Sequence, residues 1–179
     1  MFARQNRSMD SAIRPPRSAE LERLRDIERA AGVLFAEAGM PDIAAHEPDS
    51  VEALARYAQD GRAWVVALDG VPVGYALVDV VDGNAHLEQL SVHPDAGRRG
   101  LGTQLVHHVC AWAREHGYSA MTLTTFADLP WNAPFYARLG FRVLSEPEIG
   151  PELHALRDVE TAHGLDPARR VCMSATFGR

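Results

Sequence analysis

Leu87-Glu88-Gln89-Leu90-Ser91-Val92-His93-Pro94, followed one residue later by Ala96-Gly97-Arg98-Arg99-Gly100-Leu101-Gly102, is the stretch on which the fold turns. Its first part is β-rich and is stopped by Pro94. Its second part is a glycine- and arginine-rich turn. From Thr103 to His116 the apolar residues Leu105, Val106, Val109, Cys110 and Ala113 fall on a helical period, which Gly117 ends. Tyr118-Ser119-Ala120-Met121-Thr122-Leu123-Thr124 then reads as a strand. Strand, tight turn, helix and strand in that order make a βαβ unit, so the two strands are expected to be parallel and buried between layers.

Upstream, residues 63–68 and 71–81 are β-rich runs joined across Asp69-Gly70, a hairpin signal, and Asp82-Gly83-Asn84 turns the second run into residues 85–92. Three successive antiparallel strands result. Two helices are expected before them. One starts at Ser18 as N-cap and carries Leu21, Leu24, Ile27, Ala31 and Leu34; the other follows Asp49-Ser50 and carries Val51, Leu54, Ala55 and Ala58. Ala12-Ile13-Arg14, halted by Pro15-Pro16, suits a short edge strand. Downstream come a helix over 133–139, a strand over 141–144 and a final strand over 171–177. The long 145–170 connection contains a helix over 151–163. Leu153, Leu156 and Val159 on that helix could pack onto the body of the protein or onto a second subunit, which makes a homodimer conceivable.

The 179 residues suit one domain, 12–179, preceded by a flexible tail over 1–11. Eighteen Lys plus Arg against twenty-four Asp plus Glu give a net charge of −6, which argues against a nucleic-acid binder and favours basic partners such as amines. Cys110 and Cys172 lack CxxC spacing, which points to a reducing compartment. Neither a signal-peptide core nor the ~18 consecutive apolar residues of a membrane span is present, so the expected location is cytoplasmic, with no membrane partner. His107-His108 has no clustered third ligand, and no metal is expected.

Glycines let the 97–102 turn approach a ligand closely, and the N–H groups at the start of the following helix, through Thr103, favour an anion such as a pyrophosphate. Plain punctuation between strand and helix is the alternative. No lysine follows Gly102 as a Walker loop requires, and Gly97, Gly100 and Gly102 lack Rossmann spacing.

Three blocks in order carry a resemblance: Leu87 to Pro94, then Arg99-Gly100-Leu101-Gly102, then Asn132-Ala133-Pro134-Phe135-Tyr136-Ala137-Arg138-Leu139-Gly140-Phe141. Together they resemble the GNAT superfamily of acyl-CoA-dependent N-acetyltransferases, over about residues 84–144. The resemblance implies an α/β fold with an about seven-stranded, mixed, splayed sheet and helices on both faces. It implies acetyl-CoA as donor, with the backbone of Leu90, Ser91 and Val92 holding the pantetheine arm. Gly97, Arg98, Arg99, Gly100, Leu101, Gly102 and Thr103 would cradle the pyrophosphate. The family pattern has Gln or Arg where Gly97 stands, so a side-chain contact is lost there, which Arg98 or Arg99 could replace.

Acetyl transfer to an amine needs a neutral nucleophile, a polarised carbonyl and a proton for the leaving thiolate. By the resemblance, Glu88 is the base and Tyr136 the acid, and Asn132 is a pantetheine ligand as well as an N-cap. His86 competes as base, and period-two alternation puts His86, Glu88 and Leu90 on one strand face. Solvated strand face for Glu88 and core aromatic for Tyr136 are the plainer alternatives. Phe126, Asp128 and Trp131, with Trp64 as a further candidate, are expected to line the acceptor pocket. The 145–170 connection either shapes that pocket or only packs. The acceptor is expected to be a small cationic amine, with a protein N-terminus or lysine as alternative. A non-catalytic acyl-CoA-binding module is the rival from another class.

Overall fold

The computed structural model describes residues 11–178. The expected tail therefore lies outside the described residues except for Ser11, which opens the first strand. Seven strands form one mixed sheet in the order β1-β2-β3-β4-β5-β7-β6: β1 Ser11–Arg14, β2 Ala63–Leu68, β3 Val71–Val81, β4 Asn84–Val92, β5 Ala120–Phe126, β6 Arg142–Val143 and β7 Arg170–Thr176. Among the described strands only β4 and β5 pair in parallel, as the βαβ order requires. They pair over just Ala85↔Met121 and His86↔Thr122 and then diverge, so the sheet opens like a V beyond His86.

The helices are α1 Leu21–Ala31, α2 Val33–Glu37, α3 Pro41–Ala44, α4 Val51–Gln59, α5 Leu101–Glu115, α6 Ala133–Arg138 and α7 Pro151–Ala162. One long N-terminal helix was expected, but it breaks at Gly32. A side chain at that position would meet the Ala44 carbonyl oxygen at 3.0 Å. Ser18 lies inside a 3-10 turn rather than capping it, and the Glu20 carboxylate instead reaches back to the Arg17 N–H at 2.8 Å. Ser50 does cap α4, accepting from Ala53 N–H at 3.2 Å.

Register defines two faces. On one, α5 and α6 cover Trp64, Ala76, Val78, Leu87, Met121 and Leu123. On the other, α1 and α4 cover Val65, Tyr75 and Leu77. Farther along this second face α7 covers Val81 and Cys172 through Leu153, with Leu156 at the margin. Val159 is turned outward at 55% exposure, so α7 packs mainly on the body of its own chain.

What holds α7 in place is a contact far away in sequence. Asp82, in the β3–β4 turn with φ of 50°, accepts from the N–H groups of Glu152 and Leu153 at 2.9 and 3.0 Å. The Glu152 carboxylate in return accepts from the Asp82 N–H. This is a reciprocal cap, built across the fold, on a helix that has no side-chain cap of its own. Gly150 makes it possible: a Cβ there would lie 2.3 Å from the Asp82 carboxyl. Asp82→Ala is expected to cost about 1–2 kcal/mol in urea unfolding, and Gly150→Ala a similar amount by forcing the carboxylate away. Unchanged midpoints would show that α7 is held by its apolar face alone.

Candidate active site

The V between β4 and β5 gathers the predicted residues from both faces of the sheet. A β-bulge decides how. Leu77 pairs with Gln89 and Val78 with Leu87, so Glu88 is an extra residue in β4 with no partner in β3. The bulge reverses the alternation. His86, Gln89 and Ser91 face the α1–α4 side, whereas Leu87, Leu90 and Val92 face α5. The expectation that His86, Glu88 and Leu90 share a face therefore fails for Leu90. Glu88 itself lies on the His86 side, its Oε2 3.8 Å from His86 Nε2.

Glu88 keeps 36% of its side-chain surface open to solvent. Its pKa is nevertheless pushed up to about 7, first by desolvation among the surrounding groups, then by the charges of Asp79, Asp49 and Glu160, with Arg170 opposing. A carboxylate that titrates near neutrality is suited to general-base work. His86 is 1% exposed, and desolvation lowers its pKa to about 4, so it is neutral at pH 7. Its Nδ1 lies 2.8 Å from Thr122 Oγ1. A substrate cannot touch it where it lies, and it acts as the buried floor beneath Glu88.

From the opposite face, α6 brings Tyr136. It is 8% exposed, and its hydroxyl makes no hydrogen bond to any described residue. Burial raises its pKa well above the ordinary phenol value, with Arg170 pulling the other way, so the hydroxyl keeps its proton and can donate it. Asn132 stands at the N-cap position of α6, yet its side chain makes no capping bond. Its Nδ2 donates to the Trp131 carbonyl at 3.3 Å, and its Oδ1 is enclosed without a partner. An orphaned acceptor of this kind calls for a ligand donor.

The start of α5 is equally unsatisfied. The helix begins at Leu101, two residues earlier than its apolar spacing suggests. Gly100 precedes it in the left-handed region at φ of 72°, as does Arg98 at 59°. No side chain caps it, and the N–H groups of Leu101, Gly102 and Thr103 donate to no described residue. An uncapped terminus of a 15-residue helix, opened by a turn of left-handed residues, presents converging donors to an anion. A Cβ on Gly102 would meet Phe135 at 3.6 Å and Val92 at 3.9 Å, so the end of β4 adjoins this cradle. Beyond His86, the β4 edge through Leu90, Ser91 and Val92 pairs with β3 but no longer with β5.

Of the residues expected to line an acceptor pocket, Phe126 and Trp131 are bridged by Phe35 of α2, with ring centroids 5.8 and 6.1 Å away. Asp128 is taken up by Arg169 at 2.6 Å, which lowers its pKa and leaves it a paired carboxylate. Trp64 belongs elsewhere, packed edge-on to Trp112 and His108 under α5. Sequence reasoning missed Phe35, Glu160 and Arg170. The final strand, expected from Val171, begins one residue earlier at Arg170, whose partner Glu160 lies across a loop, beyond the reach of any local pattern.

The model of the acetyltransferase (GNAT) family matches residues 21–141. The chain belongs to the GNAT family. Among solved GNAT structures it is similar to the PaiA N-acetyltransferase of Thermoplasma acidophilum in complex with coenzyme A, at 16% identity and a TM-score of 0.67. That match covers 94% of this chain and 100% of the other. It is also similar to the ribosomal-protein-S18-alanine N-acetyltransferase of Escherichia coli, at 19% identity over 95% of this chain and 96% of that one, with a TM-score of 0.65. The N-acetylglutamate synthase of Neisseria gonorrhoeae, complexed with coenzyme A and N-acetyl-glutamate, matches 95% of this chain but only 36% of its own, at 20% identity and a TM-score of 0.71. At these identities the likeness concerns the fold: a seven-stranded, open mixed sheet. GNAT acetyltransferases use acetyl-CoA, and the orphaned Asn132 Oδ1, the uncapped α5 terminus and the open β4 edge of this chain fit that donor.

Proposed function

We propose that this GNAT protein is an N-acetyltransferase that moves an acetyl group from acetyl-CoA to a primary amine by direct attack in a ternary complex. The observation that carries the reading is the placement of Glu88 and Tyr136 on opposite faces of the same opening. One side suits an arriving amine and the other a departing thiol. When bound, acetyl-CoA supplies an activated acetyl thioester. Glu88 takes the proton that the ammonium must lose, directly or through water. The backbone at Ser91 and Val92 holds the pantetheine arm and the carbonyl, and Tyr136 protonates the thiolate as the C–S bond breaks. Gly97 to Thr103 hold the pyrophosphate, with Arg98 and Arg99 adding charge. The acceptor arrives as an ammonium, drawn by the carboxylates of Glu88, Asp79, Asp49 and Glu160 around the opening.

The test is calorimetric binding of acetyl-CoA, followed by CoA release with a panel of amines. Saturable binding and amine-dependent release are expected. No binding of any acyl-CoA overturns the reading, and binding without turnover across amines and peptides assigns a non-catalytic module instead. All eighteen basic residues are arginine. With no lysine in the chain, CoA release cannot arise from acetylation of the protein's own lysine side chains.

A further inference from the structure

Arg170 opens β7 opposite Phe126, on the face that carries His86 and Glu88. Its side chain is 11% exposed. Nε and Nη2 hold the two Glu160 oxygens at 3.2 and 2.6 Å, and Nη2 also donates to Thr124 Oγ1 at 2.9 Å. The guanidinium carbon lies 4.8 Å from the centre of the Phe126 ring. Three of the five N–H groups are thereby used. The two on Nη1 donate to no described residue, and Nη1 is not among the fully enclosed polar atoms that lack a partner. The guanidinium is thus locked in position with one nitrogen that is unbonded to described residues and not fully enclosed.

That nitrogen belongs to the acceptor side of the opening. Thr122 pairs with His86, and β4 and β5 run parallel from there. Thr124 and Glu88 each lie two residues farther on, about 7 Å along their strands. Arg170, bonded to Thr124, therefore stands across the V from the base. Its charge is felt on both sides, lowering the pKa of Glu88 and of Tyr136.

A second ammonium on the acceptor would find two of the nearby carboxylates already occupied. Glu160 is held by Arg170 and Thr124, and Asp79 by Tyr57 and Arg62, each at 2.7 Å. An oxygen acceptor, by contrast, has a donor waiting for it. A zwitterion has one group for each side of the opening, its ammonium toward Glu88 and its carboxylate toward Arg170.

We propose that Arg170 is a specificity-determining residue that binds a carboxylate on the acceptor, so that the preferred acceptors are amino acids with a large apolar side chain rather than polyamines. The apolar part is the wall formed by Phe35, Phe126 and Trp131. The proposal rests on the acetyl-transfer reading above, and its test separates the two. With the protein saturated by CoA, calorimetry compares N-acetyl-phenylalanine with N-acetyl-phenethylamine, which lacks only the carboxylate. The first is expected to bind about tenfold to hundredfold tighter, the range of a hydrogen bond to a charged group. In the Glu160→Gln/Arg170→Gln double variant, which leaves no orphaned charge, that preference is expected to vanish while CoA affinity is unchanged. Equal binding of the two ligands, no binding of either, or a preference that survives in the double variant overturns the proposal. The wild-type contrast needs no variant, so misfolding of the double variant leaves the proposal open to refutation. CoA release is scored separately: a carboxylate preference without turnover of any amine defeats the acetyl-transfer reading and leaves the assignment of Arg170 standing.

Discussion

Glu88→Gln is expected to lower kcat by about 10²–10⁴-fold, the range for loss of a general base. Gln has nearly the same shape but cannot take a proton. The pH dependence supplies a second readout. Because the Glu88 pKa is raised to about 7, the carboxylate form is scarce below that value. The kcat/KM of the wild type should therefore fall about tenfold per pH unit below 7 and level off above about 8. In Glu88→Gln this limb disappears. Stability should move in the opposite sense. A raised carboxyl pKa means that the folded protein binds the proton more tightly than the unfolded chain does. The stabilisation from this group is full below the ordinary carboxyl range and is lost as the pH rises through about 7. The variant should consequently melt higher than the wild type at pH 8, while the difference shrinks toward pH 5. An unaltered acid limb would move the base to another group. His86 would not be that group without a local opening, since it is buried and titrates near 4.

Tyr136→Phe is expected to lower kcat by a similar factor of about 10²–10⁴ if its proton reaches the leaving sulfur. Stability should scarcely change. The hydroxyl makes no hydrogen bond to any described residue, whereas the ring packs on Phe135 and Phe141 at 5.1 and 5.7 Å, and Phe keeps that ring. A structural hydroxyl would show the reverse pattern, with a lower melting temperature and an intact kcat. An unchanged kcat returns Tyr136 to the core. Stopped turnover with unaltered acetyl-CoA affinity separates proton donation from binding.

Local chemistry made much of this fold readable. Asp69 and Gly70 both adopt positive φ, 48° and 84°, as a two-residue hairpin requires, so the β2–β3 turn was visible in two letters. Ser50 before Val51 marks the start of α4, and the glycine run before Leu101 marks where α5 opens. Features set by distant residues were not readable. The need for glycine at position 32 comes from the close approach of Ala44, and the cap of α7 depends on Asp82, some seventy residues away. The faces of β4 escape a sequence reading because period-two alternation assumes an uninterrupted ladder, and one extra residue reverses it. At the site, Glu88 and Tyr136 were named by motif, but their approach from opposite faces could not be. Arg170 escaped because its meaning lies in contacts with Thr124 and Glu160 on two other elements.

The same extra residue separates two kinds of selection. Every other position near the middle of β4 is bound into the ladder with β3, so its side chain must satisfy a packed layer on one face or the other. Glu88 answers to no such neighbour. A lineage could exchange it for another acid, an amide or a neutral residue, retuning or silencing the chemistry while the sheet remained as sound as before. Loss of the residue itself would leave the ladder intact as well, since Gln89 would then follow Leu87 directly opposite Leu77 and Val78, with Leu90 and Val92 still turned toward α5. In this protein the framework of the strand answers to packing, and the extra residue is left to answer to chemistry alone.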